Sequence, residues 1–401
     1  MDSLESKICK LSEHFQNVRK NSGVYPEHLK SVLSFKDTKK ALKEITNWRG
    51  YEPTKLYSLS DLAKKLGIQN IYYKDESTRF NLGSFKALGG AYGVLKFIQK
   101  KIKKELNNNI SISDIRAGKY TELTKRYTVT TATDGNHGRS VAYGAKLSGC
   151  NCQIYIHAAV SEGRQKAMEE FGAKVIRVKG NYDASLRICI EEANKNNWQI
   201  ISDTSYEGYT QYPKYIMAGY TILAHEIANQ LTEKELPTHI FLQAGVGGFA
   251  AAIMAYFWEK YSDKNIKFII VEPTLAPCLI ESANANKLTI FDIQKETMMA
   301  GLSCGEPSLL AWKILDEGTD HFMTITDDKV PDLMRLLANG MDNDPSIEAG
   351  ECSVSGLAAL IEIKNNDTIT KKLNLSDNSR VLLFGTEGAT DPDIYEEIIN
   401  A

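Results

Sequence analysis

Lys86 lies in the stretch NLGSFKALGG, residues 81–90. If the chain is helical from about Ser84, then Gly89, Gly90 and Gly93 fall three, four and seven residues after Lys86 and share its face. Each glycine costs a helix interior about 0.8–1 kcal/mol relative to alanine. Three on one stripe therefore require something to approach the backbone closely. Close helix packing meets that requirement, and so does a flat ligand held by the lysine. An amine whose pKa is lowered in an apolar pocket is the usual Schiff-base former.

Two further segments carry candidate chemistry. In QAGVGGFAAAIMAYF, the run Gly245, Val246, Gly247, Gly248 permits a tight turn whose N–H groups can face a phosphate, ahead of the positive end of a helix. It lacks the lysine and hydroxyl of a Walker loop and the spacing of a dinucleotide fingerprint, so any phosphate belongs to another kind of molecule. Plain turn glycines are the alternative. In TATDGNHGRSVAYGAKLSG, Asp134, Asn136 and His137 sit at a strand-to-helix corner. A helix N-cap, worth about 1 kcal/mol, accounts for one of them. The others leave an asparagine to donate to a ligand oxygen and an aspartate to accept a proton. A Schiff-base lysine, a phosphate cradle and an asparagine donor together suggest pyridoxal 5'-phosphate, whose ring is an electron sink for amino-acid carbanions.

These segments, in order from about residue 70 to 392, resemble the fold type II, or tryptophan-synthase-type, pyridoxal-phosphate enzymes. GSFKALGG is similar to their SxK lysine motif, TDGNHG to their asparagine loop and GVGG to their phosphate loop. The resemblance implies that Lys86 is the Schiff-base lysine, with Phe85 beside it in the cofactor site. It implies Asn136 as donor to the ring hydroxyl, Gly245 to Gly248 as the phosphate loop, and Thr386 against the pyridine nitrogen. A neutral partner there leaves the nitrogen unprotonated, which suits elimination. Within the family, Asp134 stands where dehydratases commonly have a serine. Together with SDTSYEGYTQYP (202–213), MMAGLSCGEPS (298–308) and FGTEGATDP (384–392), it resembles the diaminopropionate ammonia-lyase group.

That group implies a carbon–nitrogen lyase, eliminating both amines of 2,3-diaminopropionate to give pyruvate and two ammonia. Asp134 and Asp203 are its expected carboxylates, because a carboxylate attracts the second ammonium of the substrate and exchanges protons with it. Without the resemblance, Asp203 reads as a turn aspartate. Lys86 serves as base on its own face, and Asp134 is the candidate base for the D isomer. A serine or threonine dehydratase of the same fold is the alternative, and a ligand-binding module that lost the chemistry is a rival of another class. EAGECSVSGLAAL is similar to the family's EPSG helix start, with Cys352 in place of proline; Glu351 is given no role.

The elements that must position these groups read as α/β. Nine β-rich runs alternate with amphipathic ones, the pattern of βαβ units. They are NIYYKDE, YTVTTAT, CQIYIH, AKVIRVK, WQIISD, THIFLQAG, KFIIVEP, HFMTITD and RVLLFGTEG. Nine is more than one compact sheet usually needs, so two open, mostly parallel twisted sheets flanked by helices are expected, with the cofactor in the cleft between domains. The expected division is a smaller domain, 86–205, holding the asparagine loop, and a larger one, 1–85 with 206–401, holding the phosphate loop and the nitrogen partner. The three glycine-bearing loops follow strands, so they should converge on one site beyond the carboxyl ends of the sheets. The polar stretch 100–126 reads as a solvated connection.

The 48 basic and 50 acidic residues nearly cancel, which argues against nucleic acid or an anionic membrane and for a small amino-acid substrate. The start, MDSLESKICKLSEHF, has no secretory pattern, and the apolar run around GFAAAIMAYFW is too short to span a bilayer. A cytoplasmic protein is expected, and the resemblance implies a homodimer. Seven cysteines (Cys9, Cys150, Cys152, Cys189, Cys278, Cys304, Cys352) are scattered; the one close pair, Cys150 and Cys152, has no second pair to complete a zinc site, so no metal is expected. A local Cys278–Cys304 disulfide is left open.

Overall fold

The computed structural model describes residues 11–401; Cys9 lies outside the described residues. Its strands are β1 (Leu11–Gln16), β2 (Leu56–Ser58), β3 (Asn70–Asp75), β4 (Thr128–Ala132), β5 (Asn151–His157), β6 (Lys174–Val178), β7 (Gln199–Ile200), β8 (His239–Gln243), β9 (Lys267–Pro273), β10 (His321–Ile325) and β11 (Arg380–Gly385). Seven form one sheet in the order β1-β10-β9-β8-β11-β3-β2, and four form a second in the order β6-β5-β4-β7. The second sheet is parallel throughout. The first is parallel except at its two edges, β1 and β2. Every residue of β8 and β10 is buried, as expected of parallel strands covered by helices on both faces.

All nine expected strands are present, WQIISD shrinking to Gln199–Ile200. The two unforeseen strands are the antiparallel edges. LSEHFQ carries no clean alternation and LYS is only three residues long, so their partners recruit them rather than any periodicity of their own. The stretch 100–126 is a correction too. The helix Lys86–Leu106 runs on into it, and Ile112–Arg116 and Thr121–Thr124 are helical, anchored by buried Ile110, Ile112 and Ile115.

The glycines after Lys86 are likewise corrected. The helix Lys86–Leu106 packs on the helices Asn136–Ser148 and Gln211–Gln230. A Cβ on Gly90 would lie 2.6 Å from Ser140 Oγ, and one on Gly89 would lie 2.4 Å from Tyr220 Cε1. The partners reciprocate: a Cβ on Gly144 would lie 2.6 Å from Ala91 Cα, and one on Gly219 would lie 2.3 Å from the Leu88 carbonyl oxygen. Close helix crossing, not clearance for a flat ligand, accounts for the stripe.

A buried ion cluster locks the segment that leads into Lys86. Lys74 pairs with Glu226 at 2.7 Å, and Arg79 pairs with Glu76 and Glu226 at 2.8 Å each. Two cations against two anions leave no unpaired charge, the condition under which buried ions are tolerated. The next residues, Phe80 and Asn81, are held at φ 51° and 59°. Among the described residues, no helix is long and apolar enough to cross a membrane.

Candidate active site

Lys86 is the first residue of its helix, and the Phe85 N–H before it donates to the Thr386 carbonyl at 3.1 Å. That bond ties the lysine to the loop after β11. The Lys86 amine donates to Asp203 Oδ2. Burial alone would lower the pKa of this amine, but the Asp203 carboxylate outweighs it and holds the pKa above the ordinary lysine value. The lowered pKa expected from an apolar pocket is therefore absent, because the pocket contains a counter-ion. Burial would likewise raise Asp203, and Lys86 reverses that, holding it well below the usual carboxylate range.

Asp134 sits in the turn after β4. The helix that follows is capped by Gly135, with no side-chain cap, so Asp134 is not an N-cap. Its Oδ1 lies 2.9 Å from His157 Nε2. The fields of Asp134, Asp203 and Lys86 all reach the Cys304 thiol, which burial pushes up to about 12. Asp134, Cys304 and Asp203 also bear on the Tyr182 hydroxyl, which burial raises further. The three catalytic candidates thus all act on Cys304.

The loops converge as expected. Asn136 Nδ2 donates to Glu387 Oε2, joining the loop after β4 to the loop after β11. From the end of β8, Gln243 Nε2 donates to the Phe384 carbonyl at 2.7 Å and to Thr386 Oγ1 at 3.2 Å. The Thr386 hydroxyl therefore accepts from Gln243 and keeps its own proton to donate. Gly247 has φ +89° and caps the helix Gly248–Lys260, whose first-turn N–H groups have no intrahelical partner. A Cβ on Gly248 would meet nothing nearer than the Asp203 carbonyl oxygen at 3.8 Å, so this turn borders open space beside Asp203. The ring of Phe85 is enclosed by Tyr220 and Phe249, each with its centroid 4.7 Å away.

Four side-chain atoms are buried here without a hydrogen-bond partner among the described residues: the Tyr220 hydroxyl, Gln243 Oε1, His137 Nδ1 and Asp134 Oδ1. Lys86 and Asp203 are the charges that bear on Tyr220 after burial itself. Orphaned polar atoms, an amine, an open glycine turn at a helix N-terminus and a free hydroxyl proton form a donor set that fits pyridoxal phosphate. Sequence reasoning missed His157, Tyr182, Tyr220, Gln243 and Glu387. Glu387 lay inside the motif FGTEGATDP and Gln243 at the head of QAGVGGFAAAIMAYF; Tyr220 is an ordinary position of an apolar helix. Cys278 and Cys304, left open as a disulfide, are both free thiols. Glu351 is raised by burial and by Glu387.

The model of the family "Pyridoxal-phosphate dependent enzyme" matches residues 48–385. The chain is 37% identical over 354 residues to diaminopropionate ammonia-lyase of Escherichia coli strain K12, covering 87% of this chain and 88% of that one. The crystal structure of selenomethionine-incorporated holo diaminopropionate ammonia-lyase from Escherichia coli superposes with a TM-score of 0.87 at 35% identity, over 98% of both chains. The Escherichia coli enzyme in complex with D-serine superposes with a TM-score of 0.87 at 34% identity over the same share. Sharing this fold, these loops and this identity over nearly its whole length, the chain belongs to the pyridoxal-phosphate dependent enzyme family.

Proposed function

We propose that the chain eliminates ammonia from 2,3-diaminopropionate, which with one water gives pyruvate and two ammonia. Supporting this reading is the Lys86–Asp203 pair, with the charges of both carboxylates, Asp134 and Asp203, bearing on the same Cys304 thiol. An amine leaves poorly unless it is protonated, and a carboxylate both attracts a substrate's second ammonium and exchanges protons with it. A hydroxyl leaving group needs no such charge.

Pyridoxal phosphate, when bound, supplies the electron sink for the carbanion at Cα. Lys86 would hold it through the amine, Gly245, Val246, Gly247 and Gly248 through its phosphate, Asn136 at its ring oxygen and Thr386 at its ring nitrogen. Phe85 packs behind the lysine. Engaging Lys86 elsewhere removes the cation now paired with Asp203, leaving that carboxylate to receive the substrate's β-ammonium. Lys86, once released, takes the Cα proton on its own face. Asp134 takes it from the D isomer. The proposed division is a smaller unit, 86–205, and a larger one, 1–85 with 206–401. A cytoplasmic homodimer follows from the family resemblance, and sedimentation equilibrium tests the dimer.

The purified, cofactor-loaded protein should release pyruvate from diaminopropionate at a kcat/KM well above that for serine or threonine. Lys86→Ala should bind the cofactor without a borohydride-reducible bond and should not turn over. The D-serine complex of the relative favours a second reading, a hydroxy-amino-acid dehydratase. Faster pyruvate from serine, or 2-oxobutyrate from threonine, would establish it instead.

A further inference from the structure

Asp134 owes its place to the register of the smaller sheet. β4 and β5 are parallel, with Ala132 opposite Tyr155. Two residues further along, Asp134 in the turn after β4 and His157, the last residue of β5, stand side by side. Asp134 Oδ1 and His157 Nε2 are 2.9 Å apart, an ion-pair contact in which the ring N–H is not lined up on the oxygen. The other ring nitrogen settles which atom carries the proton. His157 Nδ1 accepts from the Ala159 N–H at 3.3 Å, so in the neutral ring the proton sits on Nε2, the nitrogen beside Asp134.

This tautomer excludes a relay. An Nε2 that already holds a proton cannot take one from Asp134. What it can do is hold the carboxylate in place across the ion pair. The need is real, because the Asp134 side chain is 31% exposed and has no cap bond to the Asn136 helix. Its backbone carbonyl is held separately, by the Arg164 guanidinium at 3.5 Å. The charged groups that face the imidazole are Asp134 from the turn after β4, Glu296 from the segment before Met298, and Arg177 from β6. The adjacent Asp134 carboxylate leads the influences that raise the ring's pKa above the ordinary histidine value.

We propose that His157 is a positioning residue that aims the Asp134 carboxylate at the substrate's Cα for the D isomer. This rests on the reading of Asp134 as the second base, and the variants separate the two. His157→Leu removes the donor, whereas His157→Gln places an amide N–H where Nε2 stood. In the loaded enzyme, His157→Leu should lower kcat for D-diaminopropionate by about 10-fold or more beyond its effect on the L isomer, and His157→Gln should restore most of that difference. In NMR titrations without cofactor, the His157 midpoint should lie above that of an ordinary histidine and fall toward it in Asp134→Asn. If Asp134→Asn is selective for the D isomer but His157→Leu lowers both isomers alike, or the His157 midpoint is unmoved in Asp134→Asn, the role of His157 is overturned while Asp134 stands. If Asp134→Asn itself lowers both isomers alike, the reading of Asp134 falls, and the isomer-selective role of His157 with it.

Discussion

Single charges set the character of this site. Asp203 holds Lys86 as a cation and is held as an anion by it, so neither can be read by itself. His137 adds a third member: its Nε2 is 2.8 Å from the Ile201 carbonyl, which can only accept, so its Nδ1 presents a lone pair 3.8 Å from Asp203. Burial lowers its pKa and keeps it neutral. Asp203 is thus served by one cation, which on the proposed reading would be drawn away when Lys86 holds the cofactor. Replacing it should therefore hurt a diamine substrate more than a hydroxy one. Asp203→Asn is expected to lower kcat/KM for diaminopropionate by about 100-fold or more, and to lower that for serine less. Steady-state kinetics on both substrates checks this, and equal losses would count against Asp203 as the seat of the second ammonium. Lys86 was legible because a lysine beside glycines is unusual. Tyr220 was not, since a buried tyrosine in an apolar helix looks like any other core residue until its hydroxyl proves to lack a partner.

The helix crossings carry the site at the scale of elements. The Lys86 helix is clamped between two neighbours at distances only glycine allows, so the amine at its first residue has little freedom to shift. Gly89 links packing to chemistry: the atoms it makes room for are the ring of Tyr220, whose hydroxyl lies in the field of Lys86 and Asp203. Gly89→Ala should cost about 1–3 kcal/mol by overpacking. Urea unfolding measures that loss. Because the displaced ring is a site residue, turnover should fall in the surviving folded protein. A variant with wild-type stability would refute the crossing as the reason for this glycine. The stripe was visible in the sequence, but a stripe reports only that space is needed, not what fills it.

For the whole molecule, the larger sheet is closed at one edge by β1, a strand no pattern foretold. His14 on β1 and His321 on β10 meet ring to ring, with Nε2 and Nδ1 2.8 Å apart. Burial, then His14, lowers the His321 pKa to about 4. An unfolded histidine titrates near 6.5, by the general reference value of about 6.5. The unfolded chain therefore binds the extra proton first. The stability tied to neutral His321 is present in full above that value and lost as pH falls toward 4. Chemical denaturation from pH 7 downward should show this decline, and His321→Gln should flatten it. An unchanged slope in that variant would refute the assignment.

The amino-acid sequence by itself determined the two-sheet α/β plan, because buried parallel strands need unbroken apolar runs and the glycine loops must follow them. It also marked the lysine, the asparagine loop and the glycine turn as candidates, since these lie in short motifs, whereas Asp203 was marked only through the family resemblance. Tertiary structure alone decided the rest. The edge strands exist because β3 and β10 offer them unpaired backbone. The glycine stripe serves helix contact, because its neighbours come from residues far along the chain. The pairings of Lys86 with Asp203 and of Asp134 with His157 arise across 117 and 23 positions of sequence respectively. Charge and hydrogen bonding act through space within a few ångströms, and no spacing along the chain encodes that distance.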